Sequence, residues 1–226
     1  MSKKKMKKEH ITLITTPIEN SIIKNKSNIL FLGAWCKINL NEELLKQLKY
    51  SEIIHPWKNK AKQHSDFEYL KKTYNYFCLE ISLYLNKIHK LQYSQSYWEQ
   101  IIGFWVLEFL TTIFEKYIII KNLKDSNNIT AYEVVNKKDY TKKNSYLSKE
   151  MYCSDAWNNY IFLFLIKRFK KNIKIKQIKS SYLKKNNSNV RSSIHAKFNF
   201  KNKFKKFAIS FFSYFAYVWK KKMKFL

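Results

Sequence analysis

The chain has 226 residues, 46% of them hydrophobic and 17% aromatic, enough for one substantial core and part of a second, which excludes a disordered chain. Its formal net charge is +28, yet Arg168 and Arg191 are the only arginines among 44 basic residues. Forked readout of phosphates and base edges favours arginine. The joint excess of Lys, Asn, Ile, Tyr and Phe is what A/T-rich codons produce, so the charge reads as compositional background and argues against a nucleic-acid role.

Cys36, Cys78 and Cys153 are odd in number and widely spaced, which points to a reducing compartment and away from a disulfide framework or zinc knuckle. The basic start leads into residues 11–14, an apolar stretch too short for a signal-peptide core. A membrane span needs about 20 apolar residues, and the nearest candidate, residues 101–120, carries Glu108, Glu115 and Lys116. The expectation is a cytoplasmic chain without a span.

In chain order, residues 10–15 are β-branched and apolar, and residues 28–33 form a second apolar run closing on Gly33, so both read as buried strands. About a dozen residues separate them, enough for a crossover between parallel strands. Residues 42–50 read as a helix with Leu44, Leu45 and Leu48 on one side, broken by His55-Pro56-Trp57. Ser65 and Glu68 have capping-box spacing and open a long amphipathic helix through Leu70, Tyr74, Phe77, Ile81 and Ile88. Ser96 and Glu99 repeat that spacing before a helix from Tyr97 to about Ile120, apolar on nearly every side and therefore expected to be buried.

Residues 130–135 can form a strand, and residues 137–149 a basic loop or short helix. Ser154 or Asp155 can cap a helix through Trp157, Tyr160, Ile161, Phe164 and Leu165, ending in Lys167, Arg168 and Lys170, where positive charge suits the helix dipole. Residues 172–178 alternate isoleucine and lysine, as a half-buried strand does. The organisation read from this is a basic start (1–9), an α/β domain (10–183), an Asn/Ser-rich linker (184–196) and a basic aromatic tail (197–226). The uncharged stretch 207–219 in that tail suits a buried or an interfacial helix.

The two glycines, Gly33 and Gly103, cannot build a phosphate-cradling loop, and no G-x-S-x-G, H-E-x-x-H or D-x-D pattern is present. Gly33 closes a presumptive parallel strand, the edge where open α/β sheets hold ligands, so Trp35 and Cys36 either line a pocket or pack under the next helix. Cys36 has no local basic partner to activate it as a nucleophile. Asn86 and His89 share a helix face, and the histidine either complements the helix terminus or joins a polar site with Asn86. Glu108 and Glu115 in an apolar helix need partners unless one serves as a general base. Trp98, Trp105 and Trp157 read as core residues before sugar platforms.

Residues 14–16, the Phe-Leu-Gly-Ala-Trp-Cys run at 31–36, Asn86-x-Ile88-His89, Tyr97-Trp98 with Gly103-x-Trp105, and Asp155-x-Trp157-Asn158-x-Tyr160 stand in an order that resembles the LIC12162-type transferase family over residues 11–170. Two departures are Ala34, where the family motif has an acidic residue, and a length well short of family members. The resemblance implies an α/β fold with a small parallel sheet and several long helices, similar to the amino-terminal lobe of a two-domain GT-B-like transferase. It implies glycosyl or related group transfer in cell-surface polysaccharide and lipopolysaccharide assembly, by a truncated or split member. A nucleotide-sugar donor would be held by a missing carboxyl-terminal domain, and a glycan or lipid-linked acceptor by this one. The candidate substrate-binding residues are Trp35, Cys36, Asn86, His89, Trp98, Trp105, Glu108, Asp155, Trp157 and Asn158, with no cofactor or metal assigned and catalytic residues unidentified. The alternative is a non-enzymatic basic domain that binds anionic membrane surfaces or nucleic acid. A peripheral place at the inner membrane suits either reading.

Overall fold

Five short strands form in the computed structural model, which describes residues 9–25, 27–135 and 152–179. They are β1 (Ile11–Ile14), β2 (Ile29–Phe31), β3 (Tyr50–Glu52), β4 (Ile129–Val135) and β5 (Lys174–Lys179). All neighbouring pairs are parallel and the order is β3-β2-β1-β4-β5. β1 is central, with Thr12 beside Ile29 on one side and Thr130 on the other. The expected α/β class with a small parallel sheet and long helices is what the chain adopts.

Strand β3 is absent from the sequence reading because all three of its residues are exposed on the sheet edge, where no apolar pattern is needed. The helix expected over 42–50 stops early for the same strand: α1 spans Glu42–Gln47, capped by Asn41, whose side chain accepts from the Leu44 amide.

The connection from β3 to β4 is a pair of long helices, α2 (Lys60–His89) and α3 (Gln95–Asn122). Neither starts at its expected capping box. Asn59 caps α2 through the Lys62 amide, and Ser94 caps α3 through the Tyr97 amide, so Ser65 and Ser96 lie inside helices. Lys90 ends α2 in the left-handed conformation. Phe77, Cys78, Ile81 and Leu85 of α2 pack against Trp98, Val106, Phe109 and Leu110 of α3 in a core of their own. The last turns of α3 carry Ile119 and Ile120 into the sheet core, with Leu13, Ile14 and Phe31.

Helix α3 is not buried all round. Tyr97, Ile101, Phe104 and Leu107 are exposed, and Ile101 retains 60% of its surface. Among the described residues no helix is long and apolar enough to cross a membrane.

Helix α4 (Asp155–Phe169) follows β4 and presses Trp157, Ile161, Phe162, Leu165 and Ile166 onto the sheet. Each such buried side chain contributes about 2 kcal/mol of transfer free energy. Its last turn carries Lys167 and Arg168, as expected from the dipole. The segments 1–8, 137–149, 184–196 and 197–226 that the sequence reading singled out lie outside the described residues.

Candidate functional site

In this strand order the chain winds outward from β1 through β2 to β3, then returns by α2 and α3 to lay β4 against the other side of β1. The crevice beyond the carboxyl ends of β1 and β4 is thus a topological switch point, the place where open parallel sheets bind ligands. β1 leaves the sheet at Thr15 while β4 runs on to Val135. The side chain of Asn159, from α4, fills the fork. Its Nδ2 donates to Tyr132 O at 3.1 Å and to Thr15 Oγ1 at 3.0 Å, and its Oδ1 accepts from the Val134 amide at 3.1 Å.

Beyond the fork the chain turns at Thr16-Pro17, and Glu19 reaches back beneath it. Glu19 Oε2 accepts from the Thr15 amide (2.7 Å), the Thr15 hydroxyl (2.7 Å) and the Thr16 amide (2.8 Å). A relay therefore runs from Asn159 through Thr15 to Glu19, each group donating to the next. Glu19 is wholly buried, and burial outweighs these hydrogen bonds to push its carboxyl up to about 7. The second oxygen, Oε1, has no partner among the described residues, and the same holds for Thr16 Oγ1 and the amide of Asn20. Unsatisfied buried polar atoms are rare in native proteins, and here they gather at one sheet edge.

The rim comes from the ends of β2 and β3 and from the helices. Trp35 Nε1 donates to Thr15 O at 3.0 Å, and its ring stacks on Phe162 with centroids 6.1 Å apart and planes within 6°. Gly33 is required by this close approach, since a Cβ there would stand 2.0 Å from the Trp35 ring. Phe162 and Trp157 flank Lys116 of α3, whose Nζ lies 5.6 and 5.5 Å from their ring centres. The adjacent Glu115 meets His55, just past β3, at 3.3 Å. His55 Nδ1 accepts from the Trp57 amide, which leaves Nε2 as the nitrogen facing that carboxylate. One series of contacts thus runs along the carboxyl edge from His55 to Asn159.

Of the expected site residues, this edge gathers Trp35, Cys36, Asp155, Trp157 and Asn158. Cys36 is fully buried, its thiol donates to Ile14 O, and burial pushes it up to about 12, so it is a core residue rather than a nucleophile. Trp157 is buried beside Tyr152. Asp155 opens α4, and Asn158 Nδ2 donates to Tyr152 O. Ala34 is exposed beside Trp35.

Asn86, His89, Trp98, Trp105 and Glu108 lie elsewhere, along the helical hairpin. Asn86 ties the hairpin turn: it accepts from the Trp98 indole (2.8 Å) and the Tyr93 amide (3.1 Å) and donates to Tyr93 O (2.8 Å). His89 is exposed and stacks on Trp98. At about 1.5 Å per helical residue, Trp98 stands roughly 30 Å along α3 from Ile119 in the sheet core. Trp105 stacks on Phe109, and Glu108 is half-buried one turn further on.

Glu19, Asn159, Lys116 and His55 were not singled out from the sequence. The available signals were Thr16 and Glu19 at capping-box spacing just after a strand, and the Asn158-Asn159 pair near the head of an apolar helix. Among the described residues no cluster of histidine, cysteine or carboxylate side chains is arranged to hold a metal ion.

The model of the LIC12162 family transferases matches residues 11–226, nearly the whole chain and well past the 11–170 read from motifs. The chain belongs to this family of transferases. No curated protein and no solved structure matches it.

Proposed function

From that membership as premise, we propose that the chain transfers a glycosyl or related group in bacterial surface-polysaccharide assembly, and that the carboxyl edge at the β1–β4 fork binds the acceptor. The observation that carries this reading is the gathering of buried, unpartnered polar atoms of Thr16, Glu19 and Asn20 at the switch point, beneath the half-buried Trp35. An indole whose N–H is bonded to Thr15 O, with Phe162 stacked on its ring and Gly33 packed against it, is held fixed and offers its exposed apolar edge to a sugar. A nucleotide donor needs a glycine-rich or equivalent phosphate cradle. Where such a loop would follow β1, this chain has Thr15-Thr16-Pro17, so the donor is assigned to residues other than this turn. Glu19 is a positioning residue: wholly buried, it fixes the two threonine amides and sets the floor on which the acceptor rests.

The test is retention of bacterial surface glycans on the immobilised full chain, compared among wild type, Trp35→Ala and His89→Ala. Trp35→Ala should lose at least tenfold in retention with an unchanged circular dichroism spectrum, and His89→Ala should match wild type. Loss confined to His89→Ala would move the site to the hairpin and overturn the reading.

A second reading is favoured by the exposed stripe of Tyr97, Ile101 and Leu107 on α3. From Leu83 to Tyr97 the hairpin tip carries Lys87 and Lys90 and no carboxylate, which suits an anionic lipid surface. Sedimentation with phosphatidylglycerol vesicles should fall in high salt and with Ile101→Asp; binding indifferent to both would reject this surface.

A further inference from the structure

The outer half of the helical hairpin carries an apolar face open to solvent. Tyr97, Ile101 and Phe104 stand at i, i+4 and i+7 on α3, away from the side that Val106, Phe109 and Leu110 turn to α2, and Phe104 retains 66% of its surface. Glu108 and Glu115 continue the same face, so it is apolar toward the tip and acidic toward the sheet. Ile119 and Ile120 lie in the sheet core and Glu115 meets His55 just past β3, so the residues toward Tyr97 project beyond the carboxyl edge. Ile101 stands roughly 21 Å along the helix from Glu115.

One segment of this chain has the matching pattern. Residues 207–219 carry no charge, and their hydroxyl-bearing residues, Ser210, Ser213, Tyr214 and Tyr217, recur at i, i+3, i+4 and i+7. On a helix these share one narrow face and leave Ala208, Phe211, Phe212, Phe215 and Trp219 on the other. Helices that lie in a lipid interface are rich in lysine or arginine on the polar face; hydroxyls alone suit contact with protein. At about 1.5 Å per residue such a helix is about 20 Å long, against about 15 Å from Tyr97 to Leu107. Lys205 and Lys206 precede it, opposite in sign to Glu108 and Glu115. Because every strand pairing is parallel, β5 ends at the same carboxyl edge from which the hairpin projects. The stretch 180–206 can span roughly 90 Å when fully extended, so reach is not limiting. The family model also runs through this segment to residue 226, which makes it part of the sequence that the family shares.

We infer that residues 207–219 dock as a helix on the Tyr97–Phe104 face of α3, antiparallel to it, and add a third helix to the hairpin. Covering Tyr97, Ile101 and Phe104 supplies the driving force. Entry from the carboxyl edge sets the direction, since it brings Lys205 and Lys206 to the acidic end of the face and the aromatic run to the apolar end. Held in the same chain, the segment acts at an effective concentration on the order of mM, above that of a second copy at micromolar concentration. Docked, it occupies the face that a lipid surface would otherwise meet. The inference stands whether or not the fork binds an acceptor.

The experiment places the photo-crosslinker p-benzoylphenylalanine at position 101 of the full chain, with the exposed position 38 as control. Irradiation with phosphatidylglycerol vesicles present, followed by peptide mass spectrometry, should join position 101 to residues 207–219 of the same chain and position 38 to none of them. A cross-link between two chains would overturn the docking in favour of a second copy, and one to phospholipid in favour of a membrane surface. Absence of any cross-link from position 101 to 207–219 would overturn it outright. A second readout uses Ile101→Asp, which charges the face without entering the hairpin core. Chymotryptic cleavage within 207–219 should speed up at least tenfold in that variant with an unchanged circular dichroism spectrum, and equal rates in variant and wild type would also overturn the docking.

Discussion

Replacing Asn159 by alanine probes the fork directly. The substitution removes three hydrogen bonds of 3.0 to 3.1 Å, each with a net value of about 1 kcal/mol. It also strips the Val134 amide of its acceptor and Tyr132 O of this donor, in a place where Asn159 itself is 1% exposed and water does not replace them. A buried group left unmatched costs about 1 to 3 kcal/mol, and these two costs replace the net bond values, so the total loss is about 4 kcal/mol, a large part of an ordinary domain's roughly 5 to 15 kcal/mol. With a urea dependence of roughly 2 kcal/mol per molar, the unfolding midpoint should fall by about 2 M. Asn159→Asp sharpens the test. One oxygen still accepts from Val134, but the other faces Tyr132 O and the Thr15–Glu19 pair with no proton to give. Asn159→Asp should therefore be at least as unstable as Asn159→Ala at pH 8 and recover in acid. Tryptophan fluorescence during urea titration reads both variants, and a loss below about 1 kcal/mol in Asn159→Ala would refute the reasoning.

Glu19→Gln should remove a pH dependence from stability. Because the native carboxyl is raised from 4.5 to about 7, the folded state holds its proton more tightly than the unfolded chain. The stabilisation is complete below about pH 4.5 and is lost as pH rises through about 7, up to about 3 kcal/mol. Wild type should thus decline relative to Glu19→Gln between pH 5 and 8 in urea titrations, and parallel profiles would contradict this. Cys153, the exposed thiol, should alkylate rapidly in the native state, whereas buried Cys36 and Cys78 should react only on unfolding, as peptide mass spectrometry will show. Gly33→Ala must displace the Trp35 ring, at a cost of about 1 to 3 kcal/mol. An unaltered Trp35 indole N–H resonance in that variant would contradict the packing described.

The core was legible in the sequence where burial leaves a period. β1, β2, β4 and β5 show as apolar or alternating runs, and α2, α3 and α4 as helical repeats, because their apolar faces must meet a core. β3 left no such trace, being exposed along its length. The helix starts misled because Ser-x-x-Glu also occurs inside helices, whereas Asn59 and Ser94 do the capping. Ile101 and its neighbours show that an apolar helix face is not always covered. For the site, Gly33 and Trp35 were legible from the end of β2. Asn86 and His89 share a face as read, but Asn86 spends its side chain on the hairpin turn. Glu19 and Asn159 were hidden because a buried polar side chain is defined by partners distant in sequence, here 144 residues apart for Asn159 and Thr15.

The central claim is that ligand binds at the β1–β4 fork and not along the hairpin. An indole-selective 15N–1H spectrum of the full chain, titrated with a glycan acceptor, reads both places at once through the six tryptophans. The account predicts saturable shifts of the Trp35 and Trp157 resonances with Trp98 and Trp105 unmoved. Shifts confined to Trp98 and Trp105 would contradict it.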